Sequence, residues 1–116
     1  MIAVLFEVQL TSGRTEDYLA QAAALRTHLE AMDGFVSVER FQSLTDPTKL
    51  LSLSFWRDEA AVQHWRELAE HREAQARGRA GIFADYRLRV AAVLRDYGMH
   101  DGREQAPADS RAQHGE

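Results

Sequence analysis

Hydrophobic positions along this chain follow two different periods. Met1 to Leu10 is an almost unbroken apolar run of strand-forming residues, and Gly13 marks the turn after it. Tyr18, Ala22, Leu25, Leu29 and Met32 then recur at helical spacing and form one apolar stripe. Thr15 is placed to cap that helix, with Glu16 and Asp17 in the first turn, where the helix dipole favours acids. Gly34 stands where a C-cap glycine belongs. Phe35 to Leu44 and Lys49 to Trp56 read as two strands joined by the turn Thr45-Asp46-Pro47-Thr48. Asp58 is placed to cap a second helix reaching about Arg77, where Gly78 and Gly81 break it. Ile82 to Asp85 leads into a last strand from Tyr86 to about Asp96.

The resulting order, β-α-β-β-α-β, predicts an α+β chain of ferredoxin-like type. Its four-stranded antiparallel sheet carries both helices on one face. A sheet covered on one side should alternate apolar and polar residues. Met1 to Phe6 and Ala91 to Leu94 are instead apolar on both faces. Two helices cover only one of those faces, and a second copy of the same sheet is the simplest cover for the other. The pattern therefore predicts a homodimer through sheet faces; the alternative is a monomer with some apolar residues exposed. Residues 1–97 form the expected domain. The tail, 98–116, is polar, and is expected to be mobile or to lie across the partner chain.

Composition narrows the function classes. At 116 residues the chain has room for one core. A net charge of −4 with a single lysine, Lys49, argues against nucleic acid as a partner, since phosphate binding needs clustered cations. The sequence has no cysteine, which removes disulfides, thiol nucleophiles and thiolate metal sites. No apolar run is long enough for a membrane helix, and the N-terminus has no basic region of the signal-peptide kind. A cytoplasmic protein without membrane contact is expected.

The candidate chemistry gathers at one strand-to-helix corner. Trp56 ends the third strand and Trp65 lies on the following helix. They are either core packing or the walls of a pocket for a flat ligand. Ser52 and Ser54 share a strand face with Trp56, and small polar residues beside a large aromatic leave space. His71 is the candidate acid–base group because its ordinary pKa lies near neutrality; a solvent-facing histidine is the alternative. His64, Glu67 and His71 have a spacing compatible with a metal, but their charged neighbours read as a solvated helix face, and no metal site is expected. Arg40, Arg87 and Arg89 lie in strands, where each either pairs with an acid or holds an anionic substrate oxygen.

The β-α-β-β-α-β order, the Gly34-Phe35 strand start, the junction Ser54-Phe55-Trp56-Arg57-Asp58-Glu59-Ala60 and the helix from Trp65 to His71 resemble the antibiotic biosynthesis monooxygenase family. The likeness covers about residues 1–97. It implies a dimeric α/β barrel and, in some members, cofactor-independent oxygenation of anthrone-type or quinol substrates. On that model no cofactor is required and the substrate is a small electron-rich aromatic molecule. His71 takes the proton, Trp56, Trp65 and Phe83 shape the pocket, and Arg40 or Tyr86 binds the oxyanion. Other members degrade haem with an Asn on the first strand, a Trp, and a His on the second helix. Trp65 and His71 match the last two, but Met1 to Leu10 holds no Asn and the Trp-to-His separation is shorter than in that branch. A non-catalytic dimeric binding module is a further alternative.

Overall fold

A computed structural model describes residues 1–75 and 82–113, with the backbone alone for 70–75 and 113. The elements run β1 (Ile2–Leu10), α1 (Thr15–Glu30), β2 (Phe35–Gln42), β3 (Lys49–Trp56), α2 (Glu59–Gln75), β4 (Phe83–Ala92) and a short α3 (Ala108–Gln113). The sheet order is β2-β3-β1-β4 with every neighbouring pair antiparallel, the ferredoxin-like arrangement.

Register assigns each side chain to a face. On β1 the even-numbered residues Ile2, Val4, Phe6, Val8 and Leu10 turn towards the helices. Their partners across the sheet do the same, which gives four rows: Phe35–Trp56–Ile2–Ala92, Val38–Ser54–Val4–Val90, Arg40–Ser52–Phe6–Leu88 and Gln42–Leu50–Val8–Tyr86. The core under the helices divides in two. Val8, Leu10, Tyr18, Leu50 and Ile82 form one cluster, and Leu29, Trp56 and Ala61 form the other. The helical stripe read from the sequence faces this layer: Tyr18 and Leu29 are buried, while Ala22, Leu25 and Met32 are partly so.

The other sheet face has no covering element among the described residues. Leu5, Leu51, Leu53 and Phe55 lie there with Phe41, which is 45% exposed. Glu7 sits among them and draws in two cations, Arg89 at 3.4 Å and Lys49 at 3.9 Å. Apolar residues on both faces of the central strands are thus a feature of the structure as well as of the pattern.

Element ends differ from the sequence reading in several places, and the expected end of α2 at Arg77, Gly78 and Gly81 lies outside the described residues. Strand β2 stops at Gln42, two residues before Leu44. Thr15 is the first helical residue, not the cap; Arg14 precedes it without a side-chain cap bond. Helix α1 ends at Glu30 with Ala31 as C-cap, so Gly34 belongs to the following turn. There its φ of +88° is needed, and a Cβ would stand 2.7 Å from the Ala61 Cβ. Strand β4 begins at Phe83 and stops at Ala92, earlier at both ends than the run of apolar residues suggested. The tail also has local structure: a 3₁₀ turn at Arg103–Gln105 and α3. Gln105 Oε1 accepts from the Asp96 amide, and the Arg103 guanidinium lies 5.3 Å from the Tyr97 ring.

The radius of gyration is 17.0 Å, against about 13 Å for a compact domain of this length. No described helix is long and apolar enough to cross a membrane.

Candidate functional site

The corner between β3 and α2 is built on Trp56, which is 1% exposed. Its indole N–H donates to the Ser54 hydroxyl at 2.9 Å, two residues back on the same strand face. Phe35 meets the indole edge-on at 5.4 Å between ring centres, and Trp65 lies 6.3 Å away, tilted by 30°. Asp58 caps α2 through its side chain, accepting from the Ala61 amide at 2.9 Å, which fixes the helix start directly after the strand. Arg57 ties the corner down from outside. It donates to both oxygens of Asp33 at 3.1 and 3.2 Å and to Asp58 at 2.9 Å. Hydrogen bonding from Arg57 holds the Asp33 and Asp58 carboxyls below the usual carboxylate range, and those same bonds push the guanidinium up. Trp65 is partly buried and is the part of this pair that reaches the surface.

A second aromatic group stands at the other end of the same sheet face. Phe6 meets Phe83 at 5.9 Å and Tyr86 at 5.6 Å, Phe83 meets Tyr86 at 6.4 Å, and Tyr18 of α1 meets Phe83 at 5.7 Å. Arg40 approaches from β2, its Nε donating to the Tyr18 hydroxyl at 3.5 Å. Trp56 is level with Ile2 and Tyr86 with Val8, a separation of about 20 Å at the usual strand rise. The structure therefore brings Trp56 and Trp65 together, and Phe83 and Tyr86 together, with Arg40 on the opposite edge strand linked to Phe83 only through Tyr18; the two aromatic sets stand at opposite ends of the sheet.

His71 lies on α2 six residues beyond Trp65, about 9 Å further along the helix axis. Its side chain lies outside the described residues. His64 and Glu67 are exposed, and Glu67 accepts from Gln63 at 3.1 Å, which is the solvated face expected of them.

Between the two aromatic groups runs a feature the sequence did not single out. Tyr86, Leu88 and Val90 of β4 point to the helix side, yet they are 62%, 53% and 46% exposed. An apolar strip is thus left open beside Phe6 and Val4. Its only sequence signal was the alternation Tyr86-Arg87-Leu88-Arg89-Val90, which gives the face but not the lack of cover. Tyr18 was legible as core; its link to Arg40, 22 residues away, was not. Arg89 pairs with Glu7, neither of the acids nearest to it in sequence. A concavity of about 490 Å³ lies against β2, lined by Arg26, Ser37, Val38, Glu39, Arg40, Leu53 and Phe55. Of the expected site residues it includes Arg40.

Comparison with known proteins places this geometry. The jasmonate monooxygenase ABM of Pyricularia oryzae is 40% identical over 113 residues, 97% of this chain. The chain spans about half of that relative's length, 53%. Among solved structures, PA3566 from Pseudomonas aeruginosa superimposes with a TM-score of 0.66 at 19% identity, over 80% of this chain and 93% of that one. The heme-degrader MhuD from Mycobacterium tuberculosis superimposes with a TM-score of 0.69 at 16% identity, over 84% of this chain and 100% of that one. At those identities the likeness is one of fold. The family model for antibiotic biosynthesis monooxygenases matches residues 1–77, two thirds of the sequence, and the chain belongs to that family.

Proposed function

We propose that this protein is a cofactor-independent monooxygenase for a small, electron-rich aromatic or quinol-type molecule. The observation that carries the reading is the open apolar strip of Tyr86, Leu88 and Val90 on the helix side of the sheet, in a chain of this family. An apolar surface flanked by aromatic rings suits a flat ring system. The jasmonate monooxygenase relative supports oxygenation of a small organic molecule.

In this reading the ring lies on Leu88 and Val90, with Tyr86 and Phe83 towards one end of the strip and Trp65, held by Trp56, towards the other. His71 removes a proton from the activated C–H or O–H of the substrate. The resulting anion reduces O₂ directly. One oxygen atom forms a new C–O bond at the deprotonated carbon and the other leaves as water, so a CH₂ group becomes C=O with O₂ as the sole oxidant. Desolvation by the aromatic walls strengthens the polar contacts that hold the developing charge. The haem alternative has no support on β1. Phe6 is the helix-facing residue where an Asn would be needed, and Glu7 faces the opposite side, paired with Arg89.

The working unit in this proposal is a homodimer through the uncovered sheet faces, where Leu5, Leu51, Leu53 and Phe55 would be buried against a second copy.

Oxygen uptake with an anthrone substrate tests the assignment. His71→Ala should lower the rate by roughly 10²–10⁴-fold, the usual share of a general base. Full activity in that variant removes His71 from the mechanism.

A further inference from the structure

Ser52 and Ser54 of β3 both face the helices, and only Ser54 is engaged. Ser54 accepts from the Trp56 indole, whereas the Ser52 hydroxyl has no hydrogen-bond partner among the described residues. Ser52 is partly exposed although it lies on an inner strand, on the helix side. Directly across the ladder stands Arg40 of β2, and residues so paired have Cβ atoms about 5 Å apart, near enough to share one ligand atom. Arg40 Nε donates to the Tyr18 hydroxyl at 3.5 Å, which leaves both Nη groups as donors, and Arg40 has no ion-pair partner among the described residues. Glu39, its neighbour in sequence, lies on the opposite sheet face, paired with Leu53.

Tyr18 is 5% exposed and packed edge-on against Phe83, so the core holds its hydroxyl in place. That hydroxyl accepts from Arg40, but its own hydrogen has no acceptor among the described residues. A phenol this deeply buried ordinarily finds partners for its polar group. Unspent donors thus gather beside Arg40 on the helix side: the Tyr18 O–H, the Ser52 O–H and the guanidinium Nη groups. The row they belong to, Arg40–Ser52–Phe6–Leu88, turns apolar as it crosses to β4. Ser52 stands about 10 Å from Leu88 at the usual strand spacing. A fused aromatic ring system with an acidic oxygen fits this gradient. Its oxygen meets the donors and its ring reaches Leu88 and Val90 across Phe6.

We propose that Tyr18, Arg40 and Ser52 form a cradle for a phenol- or enol-type oxygen of the substrate and stabilise its anion. When the base takes the proton, the electron pair left behind is shared with that oxygen. The charge then meets the guanidinium and both hydroxyl hydrogens. The cradle's role in turnover rests on the oxygenase reading; its binding of the anion does not.

4-Nitrophenol probes the cradle without turnover, because it ionises near neutrality and its anion absorbs visible light. The full chain is titrated spectrophotometrically with 4-nitrophenol across pH, with the neutral methyl ether 4-nitroanisole as control. The bound phenol should ionise at least about one pH unit below the free one, because a neighbouring cation favours the anion. Arg40→Gln should abolish that difference and weaken anion binding by roughly 10- to 100-fold, the share of hydrogen bonds to a charged group. Tyr18→Phe and Ser52→Ala each remove one donor and keep the charge, and each should weaken anion binding by roughly 3- to 10-fold. Binding of 4-nitroanisole should be the same in parent and variants. Should Arg40→Gln fail to fold, which a melting curve reports, the two milder changes decide. A bound phenol that ionises no lower than the free one, unchanged anion binding in any of the folded variants, or no binding of 4-nitrophenolate at millimolar concentration would each overturn the proposal. Oxygen uptake without the probe's response removes the cradle alone, and the probe's response without oxygen uptake removes the oxygenase alone.

Discussion

Removing the Ser54 hydroxyl should destabilise the fold far more than the loss of one oxygen atom suggests. Ser54 is 9% exposed and Trp56 1% exposed, and the indole N–H donates to the hydroxyl at 2.9 Å. In Ser54→Ala the indole N–H is left buried among Phe35, Leu29 and Ala61 with no acceptor, at a cost of about 1–3 kcal/mol. Trp56→Phe removes the donor and part of the ring. Lost burial and a small cavity then cost about 1–2 kcal/mol, with a further contribution from the unmatched hydroxyl. The double variant has neither polar group, so only the volume loss remains. Its cost should fall short of the sum of the single changes by about 1–2 kcal/mol. Urea unfolding followed by far-UV circular dichroism measures all three, at one protein concentration because a dimer ties stability to concentration. Ser54→Ala should lower the midpoint by about 1 M. A midpoint within error of the parent chain, or strictly additive costs, would refute the claim that this bond closes the corner.

Two further outcomes follow from the geometry. Leu53→Glu on the uncovered sheet face should convert a particle of twice the 13.1 kDa chain mass into one of chain mass by light scattering; a parent chain already monomeric at micromolar concentration would remove the dimer. Arg57→Gln should change the acid limb of stability. Asp33 and Asp58 have folded pKa values below their unfolded ones, so their contribution is present above roughly pH 4 and is lost as pH falls through the folded values. The difference between parent and variant should therefore be constant near neutrality and shrink below roughly pH 4; a gap that widens on acidification would contradict the pairing.

The sheet was legible because its signals are local. Alternation and apolar runs define β1 and β3, the Tyr18–Met32 stripe defines α1, and Asp58 marks the start of α2 where the structure puts it. The strand ends were less so, since Leu94 continues the apolar run past the last cross-strand bond, from the Val93 amide to the Met1 carbonyl. The site was harder for a different reason. Trp56 and Trp65 are nine residues apart and share a corner, so their contact could be anticipated. Phe83, Tyr86 and Arg40 meet Tyr18 and Phe6 only through sheet register and helix placement, which no local pattern encodes. For the same reason sequence gave no sign that the expected residues divide between two ends of one face, or that Tyr86, Leu88 and Val90 stay uncovered.

The most direct test of the central claim is isotope labelling. Chelator-treated protein, with no flavin, haem or metal added, is incubated with dithranol under ¹⁸O₂, and the product is weighed by mass spectrometry against an enzyme-free control. Oxidation faster than the control, with one labelled oxygen per product molecule and none taken from H₂¹⁸O, is the predicted result. No acceleration over the control, or acceleration only after a cofactor is supplied, would contradict the account.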